Sequence, residues 1–144
     1  MIEVSPIIVL LVIAVIILVS VLVIIVWRSP ARLGRAFFTG KWRAIQGMCK
    51  DKTLWADAIN KSDELLELAL KKRRYKGKTT GERMVAAQRV FSNNDSLWYA
   101  HNLSKKIREE GVARLKESEV KDALVGFRQA LKDLGVLDNG EPRK

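Results

Sequence analysis

The stretch that decides the fold is IIVLLVIAVIILVSVLVIIVW, residues 7–27, in which Ser20 is the one polar residue. No charge lies between Glu3 and Arg28. A helix rises about 1.5 Å per residue, so this run matches the roughly 30 Å hydrocarbon core of a bilayer. Its Val and Ile residues would suit a strand in water, but a lone strand in lipid cannot satisfy its backbone groups. The sequence therefore predicts a single transmembrane helix.

A cleaved signal peptide is the alternative reading of this segment. Signal peptides combine a positive n-region, an apolar stretch of about 7–15 residues and small residues at the cleavage site. Here the residues before the run carry only Glu3, the run is longer, and no A-x-A-like site precedes Arg28. We therefore expect an uncleaved anchor.

The charges that flank the span predict its orientation. Basic residues crowd its C-terminal side and no acid follows until Asp51. The positive-inside rule then leaves residues 1–6 outside and the rest of the chain in the cytoplasm, as expected for a single-pass protein of the bacterial inner (plasma) membrane. The lone cysteine, Cys49, agrees with a reducing compartment because it cannot form an intramolecular disulfide.

The chain after the span is strongly basic. All 26 Lys and Arg residues lie there with 15 of the 16 acids, so 26 positive charges against 15 negative ones give a net charge of +11. This bias makes anionic partners plausible: lipid headgroups, nucleic acid or an acidic protein. The alternative is that the charge merely keeps a membrane-proximal domain soluble.

Residues 28–41, RSPARLGRAFFTGK, are predicted to form a juxtamembrane connector, because Pro30, Gly34 and Gly40 would weaken a long helix. Aromatic and basic side chains alternate here, a composition suited to an anionic membrane surface. An ordinary stop-transfer flank is the alternative. The candidate membrane-interface residues are Trp27, Arg28, Arg32, Arg35, Phe37 and Phe38.

Beyond the connector the sequence predicts an all-α bundle. Apolar residues recur at helical spacing from Thr53 to about Arg74, where Gly77 is expected to stop the helix. Thr79 and Glu82 have the spacing of a capping box for a second helix that reaches Phe91.

A third helix is expected to start at Asn94 and close near Gly111. A fourth is expected to be capped by Ser118 and followed by Gly135, and a short helical turn is expected at residues 42–49. Together these elements predict a four-helix antiparallel bundle over residues 42–137 with a tail at 138–144.

The inventory of catalytic residues is poor. His101 is the only histidine, Cys49 alone cannot build a thiolate site, and neither a phosphate-binding loop nor a dinucleotide fingerprint occurs. We expect no metal, no cofactor and no catalytic residue, and we expect His101 to serve in packing or hydrogen bonding.

The most conspicuous basic feature is KKRRYKGK, residues 71–78. Its cations can neutralise phosphates, and Tyr75 offers an aromatic face for a base. The alternative is a helix C-terminus supplied with cations that the helix dipole favours. The candidate anion- or nucleic-acid-binding residues are Lys71, Lys72, Arg73, Arg74, Lys76 and Lys78, with Lys105, Lys106 and Arg108 further along.

From about Thr53 to Leu137 the chain resembles small bacterial helical domains of the HEPN class, the higher-eukaryote and prokaryote nucleotide-binding domains. The residues that carry the resemblance are Gly77, the turn Thr80–Gly81–Glu82–Arg83, Trp98, Ala100, His101 and the closing segment from Ala130 to Gly135. The resemblance implies a helical bundle that pairs through its helices, hence a homodimer.

Active members of this class are ribonucleases with an R-x4-H arrangement on a late helix. In the corresponding stretch Ser104 stands in place of the arginine and Glu109 in place of the histidine. Without the histidine no imidazole can move a proton at this position. We therefore expect a non-enzymatic, membrane-tethered interaction or scaffolding module. A nucleic-acid or nucleotide-binding module is the alternative, and a ribonuclease with a displaced active site is a remote one.

Overall fold

A computed structural model describes residues 4–27, 33–111 and 114–138 of the chain. These residues form α-helices joined by short connections and no strand, which confirms the all-α fold class. The helices are α1 (Pro6–Trp27), α2 (Arg35–Met48), α3 (Trp55–Lys72), α4 (Thr80–Ala86), α5 (Asn94–Glu110) and α6 (Glu117–Asp133), with a 3-10 turn at Lys52–Leu54.

Helix α1 is the predicted apolar helix. Its segment Pro6–Val26 has a mean hydropathy of 3.8, and none of it is buried against the rest of the protein. A helix that is apolar on every side needs an apolar environment around it. Among the described residues, α1 is the one helix long and apolar enough to cross a membrane.

Helix α2 begins earlier than predicted. The expected connector reached residue 41, but the helix starts at Arg35, and its buried side chains are Phe38, Trp42 and Ile45. These three residues follow the helical spacing and form one apolar stripe. Their burial outweighs the low helix propensity of Gly40. Gly40 lies on the open side of the helix, where an added Cβ would have no other atom within 4 Å.

The packing of α2 shows the actual positions of several residues that were predicted to lie at the membrane surface. Phe38 is fully buried in the bundle core, so its ring is not available to lipid and this part of the prediction is wrong. Phe37 is half-buried and meets the Phe38 ring edge-on. Arg35 pairs with Asp138 at 2.7 Å. Arg28 and Arg32, like the side chain of Trp27, lie outside the described residues.

Helix α3 is the centre of the bundle and contacts α2, α4, α5 and α6. Contacts between helix ends give the directions. Arg73 at the end of α3 reaches Leu134 at the end of α6, so these two helices run parallel. His101 bonds to Asp63 while the later Arg108 bonds to the earlier Asn60, so α5 runs antiparallel to α3.

The end of α3 differs from the prediction that Gly77 stops it. The amide of Tyr75 donates to Leu70 and that of Arg74 to Lys71, and Arg74 takes a left-handed φ of 63°. This is a Schellman motif with arginine where glycine is usual. Gly77 has another role: a Cβ there would lie 2.8 Å from Cβ of Glu82, so its lack of a side chain lets α4 approach closely.

The remaining helix boundaries lie within a few residues of the predicted ones. Thr79 caps α4 by accepting a hydrogen bond from the Glu82 amide, as predicted. The Glu82 carboxylate accepts from the amide of Lys78 and not from that of Thr79, so the capping box is incomplete, and α4 ends at Ala86 without reaching Phe91. Helix α5 starts at Asn94 as predicted, with Asn93 as its N-cap, and it closes at Glu110, next to Gly111. At the start of α6 the Glu119 carboxylate accepts from the Lys116 amide, so Ser118 is not the cap.

Candidate functional site

The basic segment, residues 71–78, lies at the C-terminal end of α3 and in the turn that follows. Part of it serves the fold. Lys71 pairs with Glu67 at 3.1 Å, and Lys72 is half-buried on the last turn of the helix. Nε of Arg73 donates to the carbonyl of Leu134 at 2.6 Å and its NH2 group donates to that of Gly135 at 3.3 Å. Arg73 therefore satisfies carbonyls that the end of α6 leaves open.

The rest of the basic segment faces solvent. The side chains of Arg74, Lys76 and Lys78 are exposed and have no hydrogen-bond or ion-pair partner among the described residues. Tyr75 is half-buried and packs against the core, so only part of its ring is open. Three cations beside a partly covered aromatic ring remain available to an anion.

The second set of candidate cations lies elsewhere. Lys105 and Lys106 are exposed on α5, and Arg108 contacts the carbonyl of Asn60 on α3 at 3.4 Å. Asn60 precedes Lys71 by eleven residues, which corresponds to roughly 16 Å along α3. The structure therefore does not bring the two predicted basic groups into one site.

A polar cluster joins α3 to α5, and sequence reasoning missed its central residue. The side chain of Asp63 is 1% exposed, and its two oxygens bind Nδ1 of His101 at 2.8 Å and NH2 of Arg108 at 3.2 Å. Beside it, buried Ser104 donates to the side-chain oxygen of Asn60 at 3.0 Å. A carboxylate within the apolar stripe of α3, four residues after Ile59, was the available signal.

This cluster is built to hold two helices together. Each oxygen of Asp63 already has a hydrogen-bonding partner, so it offers no free carboxylate. A Cβ on Gly81 would lie 3.8 Å from Nε2 of His101, so the outer edge of the imidazole faces the backbone of α4. His101 thus serves as a hydrogen-bonding residue, as expected from the sequence. Among the described residues no group of three His, Cys, Asp or Glu side chains could hold a metal ion.

A groove lies between α2 and α6, both of which pack on α3. Its volume is about 370 Å³. The floor is buried and apolar, the walls are half-buried, and the rim is exposed and polar except for Val125. The floor residues are Trp42, Ile45 and Val120, the wall residues are Cys49, Trp55 and Leu124, and the rim residues are Gln46, Glu117, Lys121, Val125 and Arg128.

The two tryptophans of this groove differ in whether the indole N–H has a hydrogen-bond acceptor. Trp55 donates to the carbonyl of Cys49 at 2.9 Å. The indole N–H of Trp42 is buried and has no hydrogen-bond partner among the described residues. Burial also raises the pKa of the Cys49 thiol, which donates to the carbonyl of Ile45 at 3.3 Å. The groove therefore contains one buried donor that the protein itself leaves unmatched.

An exposed apolar ridge continues the groove towards α5. Val125 is 58% exposed, and beyond it Tyr99 is 43% exposed. A shallow depression between them is completed by Ser96 and Asp122. Partial desolvation, with the nearby carboxylates of Glu119 and Asp122, raises the pKa of Tyr99. We call the groove together with Val125 and Tyr99 the α2–α6 face.

The comparisons with known proteins add no further constraint on this surface. No family model matches the chain, and neither the curated proteins nor the solved structures contain a match to it. The resemblance to HEPN domains stays a prediction, and the function is proposed from the physical character of the surfaces described above.

Proposed function

We propose that the protein is a single-pass membrane-anchored interaction module, without enzymatic activity, that presents the α2–α6 face to a protein partner. One observation carries this proposal. Val125 is the most exposed large apolar side chain among the described residues of the bundle, and it borders a groove with two tryptophans in its floor and wall. An exposed apolar patch of this kind marks an interaction site more often than a scattered single residue does.

The composition of the face supports a protein partner. Its centre is apolar and aromatic, and its edge carries charged and polar residues, which is the usual anatomy of an interface. Tryptophan and tyrosine are also the residues that most often dominate binding energy. If the bundle pairs as HEPN-like domains do, a second copy is one possible partner.

The anchor supports a scaffolding role. We propose that α1 places the bundle on the cytoplasmic side of the bacterial inner membrane, near anionic headgroups. Tethering converts a weak contact into an effectively intramolecular one, with effective concentrations on the order of millimolar for short linkers. A modest interface on the bundle is then sufficient to hold a partner at the membrane.

Site-specific photo-crosslinking in cells tests this function. We expect a benzophenone amino acid at position 125 of the full chain to form protein adducts. The matched control is the same amino acid at Lys106, an exposed α5 position outside the face, which should give none. Absence of adducts at position 125, with the protein correctly inserted, would reject the proposed function.

Binding of nucleic acid is the second candidate, and the exposed cations Arg74, Lys76 and Lys78 beside Tyr75 favour it. Phosphate contacts release counterions, so binding of fluorescent single-stranded RNA should fall steeply between about 50 and 200 mM salt. The full chain in nanodiscs of zwitterionic lipid is the sample, and glutamine at the three cations should flatten the salt dependence. No binding at 50 mM salt rejects this candidate.

A further inference from the structure

The α2–α6 groove has the dimensions of a helix-binding site. Along α6 it runs from Glu117 to Arg128, eleven residues or about 16 Å, and along α2 from Trp42 to Cys49, about 10 Å. Two to three turns of an added helix fit this length. Because α2 and α6 both pack on α3, an added helix would lie between two ridges, as in helix-in-groove recognition.

The floor of the groove requires an apolar stripe on its occupant. Trp42, Ile45 and Val120 are each less than 7% exposed, and Leu124 and Trp55 stand beside them as walls. A helix that places apolar residues at i, i+3 or i+4, and i+7 would cover these side chains and Val125 together. A wholly polar segment would leave the exposed side chain of Val125 in contact with water.

The residues that line the groove carry two cations and one acid, so they favour an acidic occupant. Lys121 and Arg128 lie on its α6 rim, and Nζ of Lys52 lies 5.9 Å from the centre of the Trp55 ring. Glu117 is the one acid among the described residues that line the groove. The chain beyond the span carries +11, so a second copy would bring like charge to this surface.

We propose that the α2–α6 groove binds an amphipathic helix of a different protein, with an apolar stripe flanked by Asp or Glu residues. This inference rests on the proposed function and names the chemistry of its partner. The carboxylates pair with Lys121 and Arg128 across the rim.

A display experiment tests the chemistry of the partner. The probe is a library of 18-residue helical peptides with a constant leucine stripe, in which each flanking position is Glu, Lys or Gln at equal frequency. The target is the full chain in nanodiscs of zwitterionic lipid, and the counter-target is the Val125→Arg variant. We expect Glu to be enriched at least several-fold over Lys among peptides that bind only the unmodified face.

Substitutions then locate the contact. The affinity of a selected peptide should fall at least tenfold when Lys121 and Arg128 are both changed to Glu. The matched control changes Lys105 and Lys106 on α5 to Glu, which removes the same charge and should leave the affinity within twofold. Far-UV circular dichroism of each variant shows whether the bundle keeps its helices. A library without Val125-dependent binders, or with no preference for Glu, overturns the inference.

The photo-crosslinking experiment separates failure of this inference from failure of the proposed function. An adduct at position 125 whose crosslinked peptide is an acidic amphipathic helix of another protein supports both. An adduct of twice the chain mass, or one on a basic segment, overturns the inference and leaves the interaction function standing. No adduct at all rejects the function itself.

Discussion

Nδ1 of His101 lies 2.8 Å from one oxygen of Asp63, while Arg108 reaches the other oxygen at 3.2 Å. The carboxylate is almost completely buried, and its two hydrogen-bonding partners lie seven residues, or about two turns, apart on α5. A buried carboxylate is tolerated only when its hydrogen bonds are made, so this cluster specifies how α5 sits on α3. The cluster is therefore a constraint on the fold that lies outside the α2–α6 face.

We predict that His101→Ala lowers the free energy of unfolding by about 2 kcal/mol, because Asp63 then keeps only one partner while it remains buried. The measurement is urea unfolding of the full chain in micelles, followed by circular dichroism. Lys105→Ala, an exposed change on the same helix, is the control and should alter stability by less than about 0.5 kcal/mol. Equal stability of the two variants would show that the cluster does not join the helices.

Gly126 is predicted to be irreplaceable for steric reasons. A Cβ at this position would lie 2.7 Å from the backbone oxygen of Ser96, at the contact of α5 with α6. Overpacking of this kind costs about 1–3 kcal/mol, more than the gain of up to about 1 kcal/mol from replacing a helical glycine with alanine. Gly126→Ala should therefore lower the unfolding midpoint.

Gly40 provides the matched comparison for that substitution. It lies within α2 and nothing lies within 4 Å of an added Cβ. Gly40→Ala should raise stability by up to about 1 kcal/mol through helix propensity alone. Thermal melts of both variants would test this pair, and the prediction is wrong if the two substitutions shift the melting temperature in the same direction.

Arg73 is predicted to contribute more to the stability of the bundle than the exposed cations of the basic segment do. It donates to the carbonyls of Leu134 and Gly135, so Arg73→Ala should cost about 1–2 kcal/mol by leaving the end of α6 without these bonds. Lys76→Ala, which removes an exposed cation, should change stability by less than about 0.5 kcal/mol. Chemical denaturation of both variants separates the structural cation from the free one.

The sequence predicted the elements whose signal is local. The apolar run of α1 and the spacing of Val120, Ala123, Phe127 and Ala130 in α6 identify these helices without reference to the rest of the chain. The early start of α2 was missed because it depends on tertiary packing. Burial of Phe38 in the bundle core stabilises this part of the helix and outweighs the low helix propensity of the two nearby glycines. The Schellman end of α3 was missed because Arg74, not a glycine, takes the left-handed conformation.

The candidate sites depended more strongly on tertiary structure. The basic segment is visible as a run of residues, but only the fold shows that Arg73 is committed to α6. The α2–α6 face combines Trp42 with Val125, which are separated by more than eighty residues and by three other helices. No local pattern reports that two helices will leave a groove between them.

Cys49 is predicted to react slowly, because burial raises the pKa of its thiol and so lowers the thiolate fraction. Alkylation by iodoacetamide at pH 8 should be slower in the folded chain than in the urea-unfolded chain. The folded state holds this proton more tightly, so the associated stability is complete below the pKa of the unfolded thiol and is lost as the pH rises from there through the higher pKa of the folded thiol. The decline between pH 8 and pH 10 should be smaller in Cys49→Ser, and an equal decline would assign it to other groups.

The anchor is predicted to remain in the mature protein and to depend on the apolarity of its centre. Arginine at the middle of a membrane helix costs about 2.5–3.5 kcal/mol, so replacing both Ile16 and Ile17 with Arg should move the protein out of the carbonate-resistant membrane fraction. Replacing both with Leu keeps the segment apolar and should leave the protein in that fraction.

Mass spectrometry of the membrane fraction should recover peptides from residues 1–27. A membrane-free product that begins after Trp27 would identify the segment as a cleaved signal, because a cleaved signal and an anchor share length and apolarity but differ in this outcome.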